Sequence, residues 1–335
     1  MKRVLVWIAC GLAGGVALLA LMIAVLPREA VVPPPEFDAA ALGDDLDAWL
    51  ASDEAAFDDI TPGTEKRIVW AGARGAQTPL SVLYLHGFSA TSEEVRPVPD
   101  RVAEGLGANL VFWRLTGHGR GGEALGRATA GDWLGDLDQA LAVARRAGEE
   151  VLVIGTSTGG TLAALAAADP RLRDRLAGVV FLSPNFGLRA SAGRILTWPG
   201  VRIWGPWLAG PTRGFQPMNA GHREFWTIEY PTVALIPMAQ TVEAARQADF
   251  ESITTPALFL FSDQDIVVSP RAIREAAERW GGAVSLSPIT PIAGSDPYFH
   301  VIAGDILSPA MTEDVVERIL SWAQSADLQA YAKNP

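Results

Sequence analysis

Cysteine is nearly absent. Cys10 is the only one in 335 residues, which leaves no internal disulfide framework and no thiolate metal cluster. Clusters of lysine and arginine are missing too: 27 basic residues stand against 38 acidic ones, a formal net charge of −11. A chain of that sign, with no basic stripe or arginine–aromatic groove, repels phosphate backbones, so nucleic acid is not an expected partner. Histidine is scarce, with four residues, and the search for an imidazole base is correspondingly short. What is abundant is apolar: 49% hydrophobic content is that of a globular chain able to bury a sizeable core.

Charge is also absent from one long stretch. VLVWIACGLAGGVALLALMIAVL, residues 4–26, carries no charge between Lys2-Arg3 and Pro27-Arg28 and is long enough to span a bilayer. A secretory signal has a shorter apolar region and a small-x-small cleavage site, whereas the candidate site before Val31 puts Arg28 at −3. Residues 1–30 are therefore expected to form an uncleaved membrane anchor or, failing that, a signal segment. The N-terminus would stay cytoplasmic and the catalytic domain would be periplasmic or extracellular, or secreted if the segment is cleaved. Residues 31–65 then form a connector: VVPPPEFDAA as a proline-rich stem and residues 42–60 as an acidic, partly amphipathic helix.

From Lys66 onward short apolar runs alternate with helix-like segments. KRIVWAG, PLSVLYLHG, ANLVFWRL, VLVIGTS, AGVVFLSP and PALFLFSD are strand candidates; 130–146, 159–168, 270–279 and 312–325 are helix candidates. This pattern predicts a mostly parallel sheet with helices on both faces, within a domain of residues 66–330. The alternation lapses between about 185 and 248, a stretch with Trp198, Trp204, Trp207, Phe215 and Trp226 among many glycines and prolines. It reads as a cap inserted after one strand, or as a second packed lobe with no part in binding.

The chemistry centres on VLVIGTSTGGTLAAL, residues 151–165. A strand that turns sharply into a helix crowds the residue at the apex, and G-x-S-x-G relieves the crowding by removing side chains on both sides. Gly155 and Gly159 would let strand and helix approach, exposing Ser157 as a nucleophile; the bland alternative is a structural glycine turn. Serine needs a base, usually a histidine oriented by a carboxylate, in the chain order Ser, Asp or Glu, His. Only His222 and His300 follow Ser157. His222 falls in the cap, while His300 lies in a loop ahead of the last helix, and is the expected base. Asp263 and Asp265, at the end of a late strand, could each serve as the acid. Thr158 N–H, directly after the nucleophile, is one expected oxyanion donor; a second should come from the loop after an earlier strand.

At this point the sequence resembles the α/β-hydrolase family, and within it monoacylglycerol-lipase-like and lysophospholipase-like serine hydrolases. The motifs, in order, are HG at 86–87, GHG at 117–119, G-x-S-x-G, D-x-V-V-x-P from Asp265, and the late His300. Ser262 departs from the glycine usual ahead of the acid. The resemblance covers about residues 66–325. It implies the α/β-hydrolase fold with an inserted cap, selects Asp265 over Asp263, and makes Phe88 N–H the second oxyanion donor, with His86 structural and His118 a loop-packing residue. The implied triad is Ser157, Asp265 and His300, working without metal or cofactor on a small-molecule ester or lipid-like substrate. A thioesterase, amidase or peptidase could use the same triad, and a non-catalytic binding protein could retain the fold. An aspartate at the elbow would mark an epoxide hydrolase or haloalkane dehalogenase; the serine here disfavours both. Oligomeric state is not legible.

Overall fold

A computed structural model describes residues 2–27, 29–326 and 328, without part of the side chains of the first helix. The helices are α1 (Lys2–Val25), α2 (Leu46–Glu54), α3 (Val98–Leu106), α4 (Gly122–Arg127), α5 (Ala130–Ala147), α6 (Thr158–Ala168), α7 (Val201–Ala209), α8 (Ala220–Phe225), α9 (Leu235–Gln247), α10 (Pro270–Arg279) and α11 (Thr312–Ser325). The strands are β1 (Arg67–Val69), β2 (Thr78–Leu85), β3 (Asn109–Trp113), β4 (Gly148–Thr156), β5 (Leu176–Leu182), β6 (Thr212–Gly214), β7 (Glu229–Pro231), β8 (Ala257–Phe261) and β9 (Val284–Pro288).

Seven strands form one sheet in the order β1-β3-β2-β4-β5-β8-β9. Every neighbouring pair is parallel except β1 with β3. Because side chains alternate across a strand and both faces are covered, the middles of the central strands are apolar on both faces, as in Val151–Ile154 of β4 and Val179–Leu182 of β5. In β4, Val151 and Val153 join the core shared with α5, α6 and α9, while Leu152 and Ile154 join the core shared with α3 and α11. This is the α/β-hydrolase fold.

The helices start where local chemistry says they should. Thr129 and Asp132 form a reciprocal capping box ahead of α5, and Ser269 accepts from Ala272 N–H at the start of α10, with Pro270 at the first helical position. Between β5 and β8 lie α7, α8, α9 and the small antiparallel pair β6–β7. The β6–β7 pair and the residues before it turn back toward the sheet's carboxyl edge: Thr227 N–H donates to Ser89 O at 2.7 Å, and the Tyr230 ring meets Phe88 edge-on at 5.1 Å.

One expectation is overturned. Among the described residues no helix is long and apolar enough to cross a membrane, so the anchor expected in residues 1–30, the membrane as a partner and the external location built on it all fall. The chain leaving α1 also does not run free: Gly200 N–H donates to Pro27 O at 2.9 Å, Arg202 pairs with Glu29, and Gln240 donates to Glu29 O at 2.8 Å. A proline-rich stretch can stand off as a stiff spacer or lie in a groove, and a count of uncharged residues does not decide between them. Here Val32–Phe37 lies along α5, and Phe37 N–H donates to Asp138 at 2.9 Å. Arg28, the residue used against cleavage, is outside the described residues.

Candidate active site

The elbow lies where β4 ends and α6 begins. Ser157 has φ 50° and ψ −114°, a left-handed backbone that a residue with a side chain adopts only under constraint. The constraint comes from β5 and the loop that follows it. Ser157 N–H donates to Leu182 O at 3.0 Å and Asn185 N–H donates to Ser157 O at 3.0 Å. A methyl on Gly155 would stand 2.6 Å from Gly159 O, and one on Gly159 would collide with Leu85 O. The two glycines therefore permit the close approach that the motif requires.

Asp265 and His300 come together from separate loops. His300 Nδ1 lies 2.8 Å from Asp265 Oδ2. Asp265 is fully buried, and its other oxygen accepts from Val267 N–H at 2.7 Å and Val268 N–H at 2.9 Å. The motif's two valines thus orient the carboxyl through their backbones. Asp263 instead faces out and pairs with Arg274 at 2.8 Å. Asp296 holds the loop that carries the imidazole, accepting from His300 N–H at 3.1 Å and Val301 N–H at 2.9 Å. Ser157 and His300 are not hydrogen-bonded to each other; Glu94 lies near enough to His300 to feel its charge and approaches the elbow across Gly87.

Electrostatics separates the four histidines. Burial pushes His86 down to about 4 and His118 well below its ordinary range, and it lowers His222 as well. His300 alone is raised: burial pulls it down, but the carboxylates of Asp265, Glu94 and Asp296 outweigh that. His86 Nε2 accepts from Leu115 N–H at 3.1 Å and its Nδ1 donates to Gly87 O at 2.9 Å, so it is a neutral brace for the loop carrying Phe88. His118 packs its ring against His86 and Trp133. His222 stacks on Phe215 and meets Trp226 inside the cap.

Phe88 follows that brace. Its ring is walled by His118, Trp133 and Tyr230. Thr158 is buried at the start of α6. Glu94 was not singled out in the sequence. It is 2% exposed, and its Oε2 accepts from Gly87 N–H at 2.7 Å and from the Tyr84 hydroxyl at 3.1 Å. Burial pushes it up to about 7. A cleft of about 530 Å³ lies elsewhere, between α9 and α10. None of Ser157, His300 or Phe88 lines it, and its arginine-rich walls are largely exposed, so the site is assigned from the chemistry.

Comparison with known proteins agrees with this architecture. A thermostable monoacylglycerol lipase from Bacillus sp. (strain H-257) is 27% identical over 192 residues, 57% of this chain and 73% of the relative. A structure from the metagenome-derived lipolytic enzymes LipS and LipT superposes with a TM-score of 0.62 at 21% identity, covering 79% of this chain and 99% of that one. A soluble variant of monoglyceride lipase from Saccharomyces cerevisiae, bound to a substrate analogue, gives 0.58 at 13% identity over 78% and 91%. At those identities the two structures speak to the fold. The family described as serine aminopeptidase, S33, matches residues 77–286, from the start of β2 into β9, taking in the loop carrying Phe88, the elbow and Asp265 and stopping short of His300. With well over half of its length inside that match, the chain belongs to the serine aminopeptidase S33 family of hydrolases.

Proposed function

We propose that this hydrolase cleaves carboxylic esters of acyl-chain or lipid-like substrates, with Ser157 as nucleophile, His300 as base and Asp265 as its orienting acid. The observation that carries the reading is the buried Asp265 carboxylate, gripped by two backbone N–H groups and set 2.8 Å from the one histidine whose proton affinity is raised. His300 Nδ1–H donates to Asp265, leaving Nε2 free to take the Ser157 proton; such bonds to the nucleophile commonly tighten only as substrate arrives. The Ser157 oxygen adds to the ester carbonyl, and the resulting oxyanion is held by Phe88 and Thr158 N–H groups. Protonated His300 returns its proton to the leaving alcohol, and an acyl-enzyme remains. Water, deprotonated by the same imidazole, then releases the acid.

The acyl-chain preference draws on the lipases among the relatives and on the apolar ring cluster around Phe88. The family description names an aminopeptidase, which would need a carboxylate free to hold a substrate ammonium. The buried carboxyl beside the elbow, Glu94, is already engaged by Gly87 and Tyr84. The deciding experiment compares p-nitrophenyl esters of increasing chain length, a monoacylglycerol, an acyl thioester and an aminoacyl anilide. Ester cleavage that rises with chain length and disappears in Ser157→Ala, with melting unchanged, is the expected result. Turnover of the anilide alone would overturn the ester reading.

A further inference from the structure

Glu94 has a neighbour of the same type, and the two do different things. Glu93 pairs with Arg67 and Arg96 near the surface. Among the described residues Glu94 has no lysine or arginine partner, although a buried carboxyl without a cation is costly and an apolar side chain would fill the space more cheaply. Its contacts run toward the site. Through Oε2 it grips Gly87 N–H, one residue ahead of the Phe88 donor, and takes the Tyr84 hydroxyl, whose oxygen lies 3.1 Å from Thr156 Oγ1, one residue ahead of Ser157. A methyl on Gly87 would stand 2.7 Å from Glu94 Oε1 and 3.2 Å from Ser157 Cβ. Little more than one glycine separates the carboxyl from the nucleophile.

A backbone donor has no side chain to aim it; it points where its neighbouring peptides are held, and glycine leaves those peptides unusually free to rotate. We propose that Glu94 is a positioning residue: by holding Gly87 N–H and, through Tyr84, Thr156, it locks the loop carrying Phe88 to the elbow carrying Ser157, so that the Phe88 N–H faces the developing oxyanion. A charge-assisted bond to the carboxylate suits this task, being shorter and stiffer than one to a neutral acceptor. The inference rests on the proposed roles of Ser157 and Phe88 and adds a residue to them.

The test uses the full chain and a p-nitrophenyl ester at pH 8, with kcat normalised to sites titrated by a fluorophosphonate, so that loss of folded protein does not register. Deleting an oxyanion donor outright costs roughly 100-fold or more, and losing its aim should cost less. Glu94→Ala is therefore expected to lower kcat about 10-fold or more with KM within about threefold, and Glu94→Gln, whose amide oxygen can still accept from Gly87, to recover most of it. Tyr84→Phe, which removes only the hydroxyl between Glu94 and Thr156, should lower kcat by about threefold or more at unchanged KM. Unchanged kcat in Glu94→Ala overturns the proposal; if that variant does not fold, unchanged kcat in Tyr84→Phe does so. Ser157→Ala separates the two levels. If it retains ester cleavage, the nucleophile assignment itself fails; if it is inactive while Glu94→Ala turns over like wild type, only the positioning role fails.

Discussion

At the scale of single residues, the site is a set of proton affinities pushed apart. His300 is raised while His86, His118 and His222 are lowered, so the imidazole held above its ordinary range is the one beside Asp265. A base must be unprotonated to work, so kcat/KM is expected to rise with pH through a value above the ordinary histidine pKa of about 6.5. The groups facing the ring are Asp265, Glu94 and Asp296, and Glu94→Gln, which removes one negative charge, should move that limb to lower pH. A limb that stays in place in the variant would separate Glu94 from the titration. Glu94 also carries a stability signature. Its folded pKa is raised to about 7 from an ordinary 4.5, so the unfolded chain gives up its proton first, and stability falls as pH rises between those values. Glu94→Gln has no proton to lose, and its melting temperature relative to wild type should climb from pH 5 to pH 8. Parallel melting curves across that range would mean the burial penalty is not felt.

Among the residues, Ser157 was legible because its context is local: strand, glycine, helix. Asp265 needed a family resemblance, since Asp263 sits on the same loop, and the difference is that Asp263 finds Arg274 while Asp265 finds His300. Glu94 was illegible. Side by side, Glu93 and Glu94 read as one solvated acidic pair, and only the packing of Tyr84 and Gly87 tells them apart.

At the scale of elements, the sequence pattern worked where burial is regular. The strand runs from β2 to β5 and the periodic segments α5, α6, α10 and α11 appear within a few residues of their expected positions. The edge strand β9 was missed because Val284-Ser-Leu-Ser-Pro288 is mostly exposed and carries no apolar run. Helix α9 was hidden in a stretch recognised only as a break in the alternation. Helix α2 illustrates a contact no local pattern predicts. Its Glu54 is buried and bidentate with Arg114 beyond β3, at 2.8 and 2.7 Å, which ties the acidic segment to the sheet. Removing one partner of a buried pair strands the other, so Arg114→Met should cost about 3–5 kcal/mol in denaturant unfolding. The double variant with Glu54→Leu should recover much of that. A single variant as stable as wild type would mean the pair contributes nothing.

At the scale of the whole molecule, the reading that failed was the one made from a run of uncharged letters without knowing what the neighbouring chain would touch. Residues 26–27 and 29–37 lie on the folded domain, against the cap and α5. The cap in turn leaves apolar surface uncovered: on α7, Ile203, Trp207 and Leu208 are 65%, 90% and 74% exposed. The tryptophans of this helix thus do not all close a core of their own. Contiguous exposed apolar side chains favour association, and replacing Trp207 and Leu208 by serine should reduce self-association in light scattering while changing unfolding free energy by no more than about 0.5 kcal/mol. Unaltered scattering would show that this surface does not drive assembly.

The order in which the proposed triad enters the chain has a consequence for synthesis. Ser157 and its elbow are translated first, Asp265 follows more than a hundred residues later, and the imidazole at 300 arrives only in the loop before α11. A ribosome releasing N-terminal structure first therefore displays the elbow hydroxyl before its base exists, and under the proposed triad the newborn polypeptide gains its reactivity only once the segment around position 300 has emerged.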